Sequence, residues 1–333
     1  MILFNKPYLT GKEAPYIYQA AHSGHLSGNG VFTQKCQHFF EQRYGFGKSL
    51  LTTSCTAALE MAALLCNVQA GDEVIMPAFT FVSTANAFVL RGAKIVFVDS
   101  RPEHPGMNED AIEALINEKT KVIVPVHYAG VACDMDKIME LANQYGLWVV
   151  EDAAQAIDSF YTGKDGIKRA LGSIGHLAAF SFHETKNVMA GEGGMLVVND
   201  ERLKARAEII WEKGTNRAAF FRGEVEKYGW LDMGGSFSPS EITAAFLWAQ
   251  LESLDAIQQQ RTRHWAAYHD GLQHWANQSG IRLPLIPAFA TNNAHIFYLI
   301  CRSLQQRSEL LRLLREKGVQ AVFHYQSLHN SPY

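Results

Sequence analysis

A chain of 333 residues, 47% of them hydrophobic, is long enough to bury a large core and to form two lobes. Its formal net charge of -3 shows no basic excess, so we expect no nucleic-acid partner. No apolar stretch is long enough to cross a bilayer and the first residues lack the apolar segment of a signal peptide, which predicts a cytoplasmic protein without a membrane partner.

Apolar runs alternate with helical patterns along the middle of the chain. This alternation predicts an α/β fold with a large, mainly parallel sheet. No Gly-x-Gly-x-x-Gly motif follows the first strand, which disfavours a nicotinamide dehydrogenase. The predicted strands are Glu73 to Met76, Ala93 to Asp99, Lys121 to Val126, Trp148 to Asp152, Ala179 to Phe182 and Met195 to Val198.

Hydroxyl side chains cluster where a helix is expected to begin, between Thr52 and Glu60. The free N–H groups and the dipole of a helix N-terminus favour a phosphate. Ser54 could equally be no more than the cap of this helix. Further on, Phe79 and Phe81 follow a strand end, where either ring could lie on a flat cofactor or belong to the core.

Asp152 stands at the carboxyl end of a predicted strand, the place where open parallel sheets bind ligands. It could also cap the following helix. Lys186 follows the next apolar run, with glycines at 191, 193 and 194 behind it. A lysine there could form a Schiff base, although most lysines are solvated surface charges. Together these two residues supply what pyridoxal phosphate (PLP) needs: an amine for its aldehyde and a carboxylate for its ring nitrogen.

After Glu241 a long helix is predicted, with Ile242, Phe246, Ala249, Leu251 and Leu254 roughly on one side. A helix over Ser308 to Lys317 and a strand over Val319 to Phe323 fit a small α+β domain. We therefore expect residues 1–240 to form a large cofactor-binding domain and residues 241–333 a small C-terminal domain. The five cysteines show no paired metal-ligand spacing, so we expect them to be reduced and buried and we expect no metal site: Cys36, Cys55, Cys66, Cys133 and Cys301.

In this order, the segments resemble the sugar aminotransferases of fold type I, the DegT/DnrJ/EryC1/StrS family of PLP enzymes acting on nucleotide-linked keto-sugars. The resemblance covers essentially the whole chain. It is strongest over Gly71 to Pro77, Val126 to Cys133, Ser181 to Asn187 and Glu212 to Arg217. One branch of the family carries histidine at the lysine position and removes a hydroxyl group from the sugar, so Lys186 favours transamination.

The resemblance implies a role for each cofactor residue. Lys186 would bond to the cofactor and carry protons, and Asp152 would hold the ring nitrogen. Gln155 would bond near the ring hydroxyl and Phe81 would stack on the ring. The phosphate would be bound by Thr56, Ala57 and Ser181.

The resemblance also implies a dTDP-linked keto-sugar and L-glutamate as substrates and a homodimer with shared active sites. The substrate residues are more open. His183 is either packed or beside the substrate. Lys213, Asn216 and Arg217 form either a diphosphate-binding loop or a solvated turn, and His324 lies either near the active site or in a polar loop.

Two positions depart from the family pattern. Many relatives have an asparagine that reaches the neighbouring subunit's phosphate where this chain has Ser238. Because Ser238-Pro239-Ser240-Glu241 fits a capping box, we interpret Ser238 as a helix cap. The chain ends at Tyr333, where relatives continue, so we expect the small domain to be incomplete and leave open a catalytically silent binding protein.

Overall fold

The computed structural model describes residues 1–333. The strands are β1 (Ser49–Thr52), β2 (Glu73–Pro77), β3 (Lys94–Val98), β4 (Thr120–Ile123), β5 (Trp148–Asp152), β6 (Phe160–Thr162), β7 (Lys168–Ala170), β8 (Leu177–Ser181) and β9 (Gly194–Val198). The α-helices are α1 (Glu13–His22), α2 (Val31–Tyr44), α3 (Cys55–Leu65), α4 (Val82–Val89), α5 (Met135–Tyr145), α6 (Glu201–Trp211), α7 (Arg217–Phe221), α8 (Glu241–Leu251), α9 (Leu254–Ser279) and α10 (Leu304–Glu316). Short 3-10 helices cover Glu109–Ala111, Glu113–Leu115, Tyr128–Gly130 and Leu328–Asn330.

Seven strands form one sheet in the order β1-β9-β8-β5-β4-β2-β3. The strands from β8 to β3 pair in parallel, while β9 runs antiparallel to both β8 and β1. The predicted α/β fold with a mainly parallel sheet is confirmed. Strands β6 and β7 form a separate antiparallel hairpin, which was not predicted.

The core lies on both faces of the sheet, because neighbouring residues of a strand point to opposite sides. Ile75, Ile123 and Val149 face one apolar cluster, which α2, α5 and α8 cover. Their neighbours Val74, Val122 and Val150 face the other, which α3 and α6 cover. The result is a three-layer arrangement with a central sheet that is apolar on both faces, as parallel sheets require.

Two predicted strands differ from the structure by more than two residues at an end or are absent from it. The strand expected over Lys121 to Val126 ends at Ile123, because Pro125 has no N–H to continue the ladder. The strand expected over Val319 to Phe323 is wrong. There, one bridge joins Val319 to Ile2 and no further strand pairs with the segment.

The long helix predicted after Glu241 is also wrong, since it is divided into α8 and α9 at Glu252 and Ser253. The Ser253 N–H bonds to the carbonyl of Gln250, a tighter turn than an α-helix makes. Helix α8 packs against α1 and α2. The division into domains at residues 240 and 241 stays a prediction.

The capping box predicted at Ser238 is corrected by the structure. Ser240 caps α8, accepting the N–H of Thr243, and Pro239 precedes this cap. Glu241 does not reach back to its own helix end; its carboxylate accepts the N–H groups of Gly30, Phe32 and Thr33 at the start of α2. The Ser238 side chain lies against Gly28. A Cβ added to Gly28 would lie 2.6 Å from the Ser238 Oγ.

None of the helices combines the length and the apolar character needed to cross a membrane.

Candidate functional site

The carboxyl ends of four strands bring the candidate cofactor residues to one edge of the sheet. Strands β1, β2, β5 and β8 all point the same way, because β9 runs antiparallel to both of its neighbours. This edge therefore carries the N-terminus of α3, the segment from Ala78 to Thr84, Asp152 and the turn with Lys186. The predicted cofactor residues meet at the edge where parallel sheets bind their ligands.

Asp152 is a buried carboxylate, 6% exposed, at the end of β5. Its Oδ2 accepts the Thr84 hydroxyl at 2.7 Å and its Oδ1 accepts the Ala154 N–H at 3.2 Å. Burial raises the pKa of Asp152, while these two hydrogen bonds and the nearby charge of Lys186 oppose the rise. It forms no ion pair, so its negative charge is available to a cationic group of a ligand.

Lys186 lies in the turn after β8, where its backbone N–H bonds to the His183 carbonyl at 2.9 Å. Burial lowers the pKa of its ammonium, and the nearby Cys55 and Asp152 side chains act against that shift. A lowered pKa increases the fraction of free amine, the form that attacks an aldehyde. Lys186 and Asp152 influence each other electrostatically but do not form a salt bridge. An amine and a carboxylate without ion-pair partners match the two groups that PLP presents, its aldehyde and its protonated ring nitrogen.

The N-terminus of α3 supplies the features that a phosphate requires. Ser54 caps this helix by accepting the N–H of Ala57 at 3.1 Å. The N–H groups of Cys55 and Thr56 have no protein acceptor, and the Thr56 hydroxyl bonds to that of Ser83 at 2.8 Å. Of the residues assigned to the phosphate, Thr56 presents a free N–H and Ala57 does not. Ser181 ends β8 at the same edge.

Gly194 lets this helix end approach the sheet. A Cβ on Gly194 would lie 2.3 Å from the carbonyl carbon of Ser54 and 2.4 Å from the N atom of Cys55. Both neighbours are backbone atoms and cannot rotate away. Glycine is therefore required at this position for the α3 N-terminus to stand beside the start of β9.

Gln155 and Phe81 both lie next to Tyr325. Gln155 accepts the Ala129 N–H at 2.6 Å and donates to the Tyr325 hydroxyl at 3.4 Å. The Phe81 ring is 54% exposed and its centroid is 6.0 Å from that of Tyr325. Burial and the charge of Asp152 raise the pKa of Tyr325 to about 12, so its hydroxyl is protonated.

Two of the substrate candidates lie near Lys186. The His324 ring stacks on Tyr325 at 4.5 Å, and its Nδ1 lies 3.3 Å from the Tyr128 hydroxyl. Burial and the charge of Lys186 lower the pKa of His324. His183 is in the Lys186 turn, with its Nδ1 bonded to Thr185 and its Nε2 3.7 Å from Glu192.

The other three substrate candidates lie between the end of α6 and the start of α7. Lys213 shares a pocket of about 330 Å³ with Leu64, which is near the carboxyl end of α3. Thr56 is eight residues earlier in this helix, so the two ends are separated by roughly 12 Å. Asn216 accepts the N–H of Gly229, and Arg217 lies 3.7 Å from Glu212.

Sequence reasoning gave no role to several residues that the structure places at this edge. Thr84 bonds directly to Asp152, and Tyr128 and Tyr325 border Phe79 and Phe81. His295, 6% exposed, bonds through Nδ1 to the side chain of Asn187, the residue after Lys186. Thr84 lies in the first turn of α4 and Thr80 lies before that helix, so no regular spacing in the sequence marks the pair.

Comparisons with known proteins agree with this geometry. The family model described as the DegT/DnrJ/EryC1/StrS aminotransferase family matches residues 7–333. The uncharacterized protein MJ1066 of Methanocaldococcus jannaschii is 32% identical over 310 residues, 91% of this chain and 78% of that protein. The putative sugar aminotransferase Spr1654 from Streptococcus pneumoniae, in its PLP form, has a TM-score of 0.87 at 25% identity, covering 98% of this chain and 85% of the other. The aminotransferase TlmJ from Streptoalloteichus hindustanus has a TM-score of 0.89 at 29% identity, covering 100% of this chain and 87% of the other.

Proposed function

This chain belongs to the DegT/DnrJ/EryC1/StrS aminotransferase family and is a PLP-dependent sugar aminotransferase, and we propose that it uses L-glutamate as amino donor. We further propose dTDP-4-keto-6-deoxy-D-glucose as the acceptor. Transfer of the amine to its C4 ketone gives dTDP-4-amino-4,6-dideoxy-D-galactose. This is the reaction of the transaminase of enterobacterial common antigen synthesis, which the sequence resembles over the four segments named above, and it would serve surface glycan synthesis.

The observation that carries the proposal is the pair of buried, unpaired charges of Lys186 and Asp152 beside the α3 N-terminus. When bound, PLP supplies an aldehyde that receives the amine and a ring that withdraws electrons. Lys186 then holds the cofactor and, once free, moves a proton at the reacting carbon. Asp152 keeps the ring nitrogen protonated, and Thr56 and Ser181 hold the phosphate.

The first experiment is an absorbance spectrum of the purified protein with PLP, before and after addition of L-glutamate. We expect a yellow band that glutamate bleaches, and no such band in Lys186→Ala. Lys119→Ala, at an exposed position, is the matched control and should behave like the wild type. A band that glutamate does not change would indicate a catalytically silent binding protein. A band that persists in Lys186→Ala would exclude the central role of this lysine.

The acceptor is tested separately by supplying the glutamate-treated enzyme with different keto-sugars. The proposal expects return of the yellow band with dTDP-4-keto-6-deoxyglucose, and weaker or no return with C3 ketones or with GDP- and UDP-linked sugars. Nuclear magnetic resonance of the product distinguishes the galacto from the gluco configuration. A preference for another carrier or ketone position would leave the aminotransferase class intact and change only the sugar.

We also propose that the loop with Lys213, Asn216 and Arg217 binds the nucleotide diphosphate in the active site of a partner subunit of a homodimer. The support is that Lys213 lies beside the carboxyl end of α3, away from Thr56 at its N-terminus, while two apolar side chains beside the loop are solvent-exposed, Phe221 at 69% and Trp230 at 82%. Mixed dimers of Lys186→Ala and Arg217→Ala test this. If the site is shared, mixing two nearly inactive variants restores activity, because one of the two sites then has both residues. Without such recovery the loop does not act across subunits.

A further inference from the structure

Behind Asp152 lies a chain of two buried threonine hydroxyls. The Thr84 hydroxyl contacts Asp152 Oδ2 at 2.7 Å, and the Thr80 hydroxyl contacts that of Thr84 at 2.8 Å. Thr80 is 2% exposed and Thr84 1% exposed. Burying a hydroxyl is unfavourable unless it is hydrogen-bonded, so two of them in this place indicate a role in bonding and not in packing alone.

The direction of these hydrogen bonds follows from the number of protons. An ionised carboxylate can only accept, so Thr84 donates its one hydroxyl proton to Asp152. The Thr84 oxygen is then left to accept, and Thr80 must donate to it. Each bond polarises the next, and the chain ends on the negative charge of Asp152.

These contacts leave Asp152 with one orientation. Oδ2 is held by Thr84 and Oδ1 by the Ala154 N–H, so the carboxylate cannot rotate without losing a bond. Hydrogen bonds donated to a carboxylate favour its ionised form, which offsets the effect of burial. Loss of the Thr84 hydroxyl would leave the Ala154 N–H as the one remaining protein donor to this group.

We propose that Thr84 is a positioning residue that keeps Asp152 ionised and oriented, so that the ring nitrogen of the cofactor stays protonated. Thr80 supports Thr84 in the same task. This inference rests on the proposed function, because it requires PLP to bind between Lys186 and Asp152. It assigns a role to a side chain that acts through Asp152.

The test compares Thr84→Val, which keeps the shape and removes the hydroxyl, with Thr84→Ser, which keeps the hydroxyl. Thr120→Val is the matched control, since Thr120 is a buried threonine at the opposite edge of the sheet, at the start of β4. Each protein is reconstituted with PLP carrying an isotope label in the ring nitrogen, whose magnetic resonance shift reports protonation. Affinity is measured for PLP and for its deaza analogue, in which carbon replaces the ring nitrogen.

We expect Thr84→Val to lower the pH at which the ring nitrogen loses its proton by about one unit, which corresponds to about tenfold weaker binding of PLP. Binding of the deaza analogue should be unchanged, because it presents no nitrogen to Asp152. Thr84→Ser and Thr120→Val should match the wild type. Thr80→Val, which removes only the second hydroxyl, should shift the nitrogen less and provides the test if Thr84→Val does not fold.

Two results would overturn the inference. If Thr84→Val leaves ring-nitrogen protonation unchanged, the hydroxyl does not act through Asp152. If the variant weakens PLP and the deaza analogue equally, Thr84 matters for packing alone. A wild-type protein that forms no lysine-dependent band with PLP would instead refute the proposed function, and that outcome is seen before any threonine variant is made.

Discussion

Replacing Glu241 by alanine should strongly destabilise the amino-terminal part of the protein. The Glu241 carboxylate is 2% exposed and accepts N–H groups from Gly30 at 3.0 Å, Phe32 at 2.7 Å and Thr33 at 3.1 Å, as well as the Thr33 hydroxyl. In the alanine variant these buried donors at the start of α2 lose their acceptor. An unsatisfied buried donor costs about 1–3 kcal/mol, and water entering the vacated space recovers part of this.

We therefore expect Glu241→Ala to lower the free energy of unfolding by about 4 kcal/mol, a large part of the 5–15 kcal/mol typical of a folded domain. Glu241→Gln keeps one acceptor oxygen and should lose about half as much. Urea denaturation measures both values. Hydrogen exchange localises the effect, since the amides of Phe32 and Thr33 should exchange on the order of a thousand times faster.

Glu201→Ala is the control for this comparison, because Glu201 also lies in the first turn of a helix but is exposed. It should change stability by less than about 0.5 kcal/mol. Equal denaturation midpoints for Glu241→Ala and Glu201→Ala, with unchanged exchange in α2, would refute the assignment of Glu241 as the cap of α2.

Two further predictions concern the site and its surroundings. Gly194→Ala should displace the α3 N-terminus and weaken PLP binding at least about tenfold, since overpacking against backbone costs about 1–3 kcal/mol. At Gly193 an added Cβ meets nothing nearer than 3.3 Å, so Gly193→Ala should bind PLP better than Gly194→Ala. Equal affinities of the two variants in PLP titrations would contradict this. Burial, with the nearby charges of Lys186, Arg261 and His324, holds the pKa of His295 well below its usual value. The unfolded chain thus binds a proton that the folded one does not, and stability should be complete above about pH 6.5 and fall as the pH drops through that value. Urea titrations at several pH values should show a weaker pH dependence of stability for His295→Gln than for the wild type. His38→Gln, at an exposed position, should keep the wild-type dependence. If stability falls equally with pH in the wild type and both variants, His295 is not a source of this dependence.

Much of the fold and the two central residues of the site could be predicted because they follow local rules. Asp152 and Lys186 each follow an apolar strand, and parallel strands bring such positions to one edge. The strand over Trp148 to Asp152 was predicted with its observed bounds, since a strand buried on both faces is a continuous apolar run. Their roles in binding PLP stay predictions.

The features that were missed depend on residues far apart in the sequence. The pattern around Ser238 fitted a capping box, but the carboxylate of Glu241 is used by α2, whose residues stand more than 200 positions earlier. The break between α8 and α9 carries no glycine or proline to mark it. Thr84 stands in a helix where a threonine is ordinary, and only its contact with Asp152 distinguishes it.

Several contacts of the first quarter of the chain are made with segments synthesised much later. Strand β1 pairs with β9 alone, and α2 receives its cap from Glu241. During translation, neither element can complete its native hydrogen bonds until more than half of the polypeptide has left the ribosome. Until then the apolar side of α2, including Phe32 and Phe40, lacks part of the segments that it packs against in the folded protein. A chaperone that binds apolar helices would therefore compete with folding for this nascent segment.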